Sequence, residues 1–258
     1  MSEIVIERGS DGQQAVVRLN RPDKRNALTL AMWRQLEETF TALERDDRVR
    51  CIIVRGAGGN FAAGADLAEF QTLRASTDQA EAYGRQMIAA LIAVRDCRHP
   101  TIAAIEGLCV GGGLEIGLMC DLRLGAPDSR YGIPIQKVGV AMPYPELALL
   151  TQMLGWTTML ALLLEGQLHD AAWAERHGLV TRIATDLEVD LAATIGRITA
   201  GSPVSHRHHK LFTRLAAEPD QMLDRDAVRQ SYGAVETGDY REGIAAFLER
   251  RTPKFPGN

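Results

Sequence analysis

The chain has no basic excess. Its 258 residues carry 29 Lys and Arg against 33 Asp and Glu, a formal net charge of −4, which argues against the cationic face that a nucleic-acid partner requires. Cysteine is sparse as well. Cys51, Cys97, Cys109 and Cys120 form no C-x-x-C pair and mostly sit in apolar runs, as reduced core thiols of a cytoplasmic protein would. Met1 to Arg8 contain neither an apolar signal region nor a basic presequence, so a cytoplasmic location is expected. No uninterrupted run of 18 apolar residues occurs, and no membrane span is expected. Internal repeats, low-complexity segments and a G-x-S-x-G nucleophile elbow are also missing. What remains is ordinary in size for one large domain, or one domain with a small appendage.

The most informative stretch is Gly107-Leu108-Cys109-Val110-Gly111-Gly112-Gly113-Leu114-Glu115. It follows a short apolar run, Thr101 to Ile105, that reads as a buried strand, and it leads into a helical pattern through Leu114, Leu118 and Met119. Glycines at a strand-to-helix turn allow close backbone approach, and the first helical N–H groups have no partner within the helix. Such a helix start suits a developing anion. Glu115 lies three residues past the middle glycine, which would put an acid or base beside that anion. The stretch has neither the Gly-Lys-Ser/Thr of a Walker loop nor G-x-G-x-x-G spacing. Many such turns only pack a helix on a sheet, so a second feature is needed.

Upstream, Ile4 to Ile6 and Ala15 to Leu19 read as a hairpin around Gly9-Ser10-Asp11-Gly12. The polar loop Asn20 to Leu28 follows, with Thr29 as the cap of a helix whose apolar stripe includes Trp33, Leu36 and Phe40. Cys51 to Val54 reads as a buried strand. Phe61-Ala62-Ala63-Gly64-Ala65-Asp66-Leu67 is a second small-residue turn, where Asp66 could simply cap a helix. A long helix is expected over about residues 76 to 97. Strands alternating with helices through residue 125 predict an α/β layer with mainly parallel strands. Beyond Pro145 the pattern is helical: Leu147 to Leu164 is almost wholly apolar, and 170–177, 187–200, 203–217, 219–235 and 239–250 read as helices. Leu179-Val180 is the one further strand expected. His206, His208 and His209 lack an acidic ligand nearby in sequence, and no metal site is expected.

Taken together, five ordered segments resemble the enoyl-CoA hydratase/isomerase, or crotonase, superfamily over nearly the whole length. They are Leu19 to Leu28, Phe61 to Leu67, Gly107 to Asp121, Gly166 to Val180, and Arg241 to Phe247 with Lys254-Phe255. The resemblance implies an α/β crotonase (ClpP/crotonase-like) fold of stacked ββα units. It implies a core over residues 1–200 and a C-terminal helical region over 201–258 that serves oligomerisation. A homotrimer or hexamer, an acyl-CoA thioester substrate and no separate cofactor are expected. By the same resemblance, the backbone N–H groups of Ala65 and Gly112 would hold the thioester oxyanion, and Glu115 would be an acid/base. Arg25, Ala27, Ala63, Asp66, Leu67 and Gly111 would bind the CoA ester. Phe247 and Lys254 would join them, often from a neighbouring subunit, although a core phenylalanine and a solvated lysine are equally open.

One position departs from the family. Where a second glutamate follows a proline in the hydratases, Pro134 is followed here by Ile135, which cannot move a proton. The usual glycine-rich turn is replaced by Ala141-Met142-Pro143-Tyr144-Pro145, and Glu146 is the sole carboxylate between Asp128 and Glu165. Tyr144 and Glu146 are the candidate substitutes. The expected chemistry is hydration or double-bond isomerisation of an enoyl-CoA with one glutamate. A thioester or carbon–carbon bond hydrolase, a decarboxylase and a non-catalytic CoA-thioester-binding protein remain alternatives.

Overall fold

The computed structural model describes residues 2–217 and 225–258. In chain order it begins with β1 (Ile4–Arg8), β2 (Gln14–Leu19), α1 (Leu30–Glu44) and β3 (Cys51–Gly56). Then come α2 (Phe70–Leu73), α3 (Thr77–Asp96), β4 (Thr101–Ile105), β5 (Leu108–Val110), α4 (Gly112–Met119), β6 (Leu122–Gly125) and β7 (Arg130–Gly132). The later part contains α5 (Tyr144–Glu165), β8 (His169–Asp170), α6 (Ala171–Arg176), β9 (Arg182–Ile183), α7 (Leu187–Ala200), α8 (Pro203–Ala216), α9 (Arg225–Tyr232) and α10 (Gly238–Glu249). A six-stranded sheet runs β1-β2-β3-β4-β6-β9, parallel except for the β1–β2 hairpin, and a three-stranded sheet runs β5-β7-β8. This is the α/β crotonase fold with C-terminal helices.

The central strands are continuously apolar because both sheet faces are covered. Ile52 and Val54 of β3 join Trp33, Leu36 and Phe40 of α1 and Leu91 of α3 in the main core. Their neighbours Cys51 and Ile53 point the other way, onto Leu187, Leu191 and Ile195 of α7. Thr29 caps α1 by accepting from the Met32 N–H. All four cysteines are free and buried. Helix α8 is tied to the sheet domain by Lys210–Asp121 at 2.8 Å and Arg214–Asp96 at 2.7 Å.

Three sequence expectations change. Leu179 and Val180 are core residues in a bend, with the Leu179 N–H bonded to the Ala174 carbonyl; the short strands here are His169–Asp170 and Arg182–Ile183. Of the helix expected over 219–235, α9 covers Arg225–Tyr232 and Gly233–Glu236 form a 3-10 turn, while positions 219–224 lie outside the described residues. α5 is the third. A few polar residues interrupt its apolar run, yet it spans 22 residues with a mean hydropathy of 1.7 over its best 18-residue window, long and apolar enough by composition to cross a membrane. Gly155, at φ 74° and ψ 154°, breaks it into two helical pieces. Trp156 and Leu164 are 70% and 72% exposed on the second piece.

Candidate active site

The two small-residue turns of the sequence lie side by side. Ala62 donates to the Leu108 carbonyl at 2.9 Å, and Val110 donates back to Ala62 at 3.0 Å, so the segment after β3 runs along β5. The loop before α1 is laced to the same turn, with Leu28 N–H to Gly64 O and Asp66 N–H to Leu28 O both at 2.8 Å. These bonds use the Gly64 carbonyl and the Asp66 N–H and leave the Ala65 N–H out. Gly112 opens α4, so its N–H has no carbonyl one turn back. Neither the Ala65 nor the Gly112 N–H donates to any group among the described residues.

Glycine is required for this placement. Gly111 has φ +50° and ψ −123°, a region closed to side-chain-bearing residues. A Cβ on Gly113 would lie 2.7 Å from both the Cβ and the carbonyl oxygen of Ala62, and one on Gly112 would lie 2.9 Å from the Trp33 ring. α4 is buried along its whole length.

Ala65 and Gly112 line a cavity of about 330 Å³, within the size range of small-molecule sites. Its wall is largely apolar, including Leu67, Phe70, Met87, Val138 and Met142. Two carboxyls interrupt it. Glu115 comes from the first turn of α4 and Glu146 from the first turn of α5; they are 4% and 6% exposed. Burial pushes the Glu115 carboxyl well above the usual carboxylate range; the charge of Glu146 adds to the rise and Arg74 opposes it. Burial raises Glu146 too, again opposed by Arg74. Glu115 Oε2 has no hydrogen-bond partner among the described residues. A carboxyl left unpaired in an apolar cavity is poised to exchange a proton near neutral pH.

The remaining expected site residues divide into three groups. Ala63, Leu67, Gly111 and Ile135 line the cavity. Arg25, Ala27 and Asp66 do not: the Arg25 and Ala27 carbonyls and the Asp66 carboxylate shape the turns, and the Arg25 side chain is exposed. The Arg25 carbonyl accepts from Ala63 at 2.9 Å, and the Ala27 carbonyl accepts from the Arg21 guanidinium at 2.6 Å. Asp66 accepts from the Ala68 N–H and pairs with Arg21 at 3.0 Å, the capping role its position allowed. Phe247 is 81% exposed and Lys254 is exposed, so the core-phenylalanine alternative fails and neither reaches this chain's own cavity. Tyr144 does not face the cavity either. It is 81% exposed, because residues two apart on a helix point to opposite sides and Glu146 takes the inward one. Sequence reasoning missed Arg21, one cation among several in a polar loop, and Arg74, whose neighbours Thr72 and Ala75 give no sign of a pocket.

The enoyl-CoA hydratase/isomerase family model matches residues 11–258. The chain belongs to the enoyl-CoA hydratase/isomerase family. Among curated relatives, "Probable enoyl-CoA hydratase echA8" of Mycobacterium bovis is 34% identical over 98% of this chain and 97% of its own. The crystal structure of an enoyl-CoA hydratase/carnithine racemase from Magnetospirillum magneticum is 44% identical, with a TM-score of 0.96 over 100% of this chain and 97% of that one. Pseudomonas aeruginosa DspI is 29% identical, with a TM-score of 0.88 over 99% and 97% of the two chains. The protein is thus an enzyme of enoyl-CoA hydratase/isomerase type, and the family implies an acyl-CoA substrate.

Proposed function

We propose that the protein reversibly hydrates a 2-enoyl-CoA, with Glu115 and Glu146 as its acid/base pair. One observation carries this reading: two buried carboxyls with raised pKa share a cavity with two free backbone N–H groups. The thioester oxygen binds between the N–H groups of Ala65 and Gly112. The ionised member of the pair takes a proton from water as the water oxygen bonds to Cβ. The Cα–Cβ π electrons move to Cα and the thioester oxygen, giving an enolate that the two N–H groups stabilise; each such donor is worth about 2.7–4 kcal/mol of barrier. The protonated member then delivers its proton to Cα. Two carboxyls suit this better than one, because hydration needs a base for water and an acid for carbon. Ile135 occupies the wall where the family pattern would put a carboxyl, and Glu146 supplies it from the neighbouring helix instead.

Phe247 and Lys254, exposed on and after α10, meet CoA only from a second subunit, which suits the homotrimer or hexamer expected from the resemblance. The test is turnover of crotonyl-CoA and a longer 2-enoyl-CoA, with a 3-enoyl-CoA and a β-keto acyl-CoA as controls. Hydration of a 2-enoyl-CoA that disappears in Glu115→Gln while CoA-ester binding persists is the expected result. Turnover of the 3-enoyl-CoA alone would move the assignment to isomerisation, and tight binding with no turnover of any of them would leave a CoA-ester-binding protein.

A further inference from the structure

Arg74 lies where α2 gives way to α3. Its N–H closes α2 on the Phe70 carbonyl at 3.1 Å, and Ser76 caps the next helix two residues on. The guanidinium carbon sits 4.3 Å from the centroid of the Phe70 ring and 5.5 Å from that of Tyr83. Those rings are themselves edge to face, 5.9 Å apart at 74°. Phe70 and Arg74 both line the cavity that holds Glu115 and Glu146. The half-buried guanidinium makes no hydrogen bond or ion pair with a described residue. The protein therefore holds a cation against an aromatic pair on an apolar wall and leaves its donors unused.

A guanidinium held over a ring still carries its five N–H donors in its own plane, and that fork matches a carboxylate bidentately. A purely hydrocarbon acyl chain would gain nothing from it and would strip water from donors that have no protein acceptor, which is unfavourable. A carboxylate is accepted into a cavity that already holds an ionised glutamate only where a cation lies against it. Lys137, the other cation of the lining, is exposed to solvent and can find its partner there.

We propose that Arg74 is a specificity-determining residue, and that the acyl group carries a carboxylate remote from the thioester which pairs with its guanidinium. The substrate class is then a dicarboxylic enoyl-CoA. This rests on the hydration reading, and the test separates the two. Turnover is measured for two enoyl-CoAs of equal length, one ending in methyl and one in carboxylate. Binding is measured by calorimetry for the corresponding non-reactive CoA thioethers. Wild type is expected to favour the carboxylate-ended substrate by roughly tenfold or more in kcat/KM, as a site built around a charged contact does. The same preference is expected in thioether binding. Arg74→Met should collapse that ratio, and Arg74→Lys should restore part of it. A ratio unchanged by Arg74→Met, or a wild type that favours the methyl-ended compound, overturns the inference. If no substrate turns over but the thioether preference stands and depends on Arg74, the hydration reading falls and the carboxylate site survives.

Discussion

The two helices that bring carboxyls to the cavity reach it in different ways. α4 is buried from end to end, and its start is fixed by Gly111 at positive φ and by Gly112 and Gly113, where a side chain would collide with Trp33 and Ala62. Glu115 has little freedom to lie anywhere else. α5 begins after irregular chain that ends at Pro143, exposes Tyr144 and Trp156, and breaks at Gly155; few of its side chains are buried. Glu146 is one of these. A position fixed by backbone packing is thus paired with one fixed only by which side of a helix faces inward. The first can be read as a motif, whereas the second depends on the angle at which a helix enters.

The comparison can be broken at several points. Glu115→Gln should have the largest effect, lowering kcat for hydration by about 10²- to 10⁴-fold, with CoA-ester affinity read by calorimetry retained. Glu146→Gln should follow at roughly 10²-fold. If its kcat stays within a few-fold of wild type, the α5 wall is structural and the pairing is wrong. The pH profile sharpens this. Both titrations lie above the ordinary carboxylate range, so the rate should fall on the acid side as the base becomes protonated and on the alkaline side as the acid ionises. In Glu146→Gln the surviving Glu115 titration should move down, because a neighbouring charge is gone, yet stay raised by burial.

Gly113→Ala tests the α4 wall without touching a carboxyl. The added methyl meets Ala62 backbone at 2.7 Å, and overpacking of this kind costs about 1–3 kcal/mol, measurable as a lower urea midpoint. The carboxyl pair also leaves a mark on stability. Above the unfolded glutamate pKa near 4.5 the folded chain holds protons that the unfolded chain has released, so stability falls as pH rises and levels off once the folded pKa values are passed. The urea midpoint of Glu146→Gln, compared with wild type, should therefore gain more at pH 9 than at pH 5. Tyr144→Ala should be the smallest change, within about 0.5 kcal/mol of wild-type stability, since its side chain is exposed and outside the cavity.

Much of the architecture was legible because it is local. Thr101 to Ile105 and Cys51 to Val54 are apolar without alternation, and only a sheet covered on both faces buries such runs. Gly107 to Glu115 announced a strand, a tight turn and a helix in that order, with a carboxyl at a fixed distance from the amides. Ala62 to Asp66 carried the same signal more weakly. Tyr144 and Glu146 were indistinguishable in sequence, as were Arg74 and the other surface arginines, since no local pattern says which side of an irregular entry faces a cavity.

By itself the sequence determined the alternation of strands and helices through residue 125, the two small-residue turns and the position of Glu115, because backbone sterics and hydrophobic periodicity act over a few residues. Only the tertiary structure decided that Glu146 rather than Tyr144 stands with Glu115, and that Arg74 rests on Phe70 and Tyr83 at the cavity wall. Phe70 and Tyr83 are close to Arg74 in the chain, but Glu115 and Glu146 come from segments far from it and from each other, and burial and charge between such segments exist only once the chain has packed.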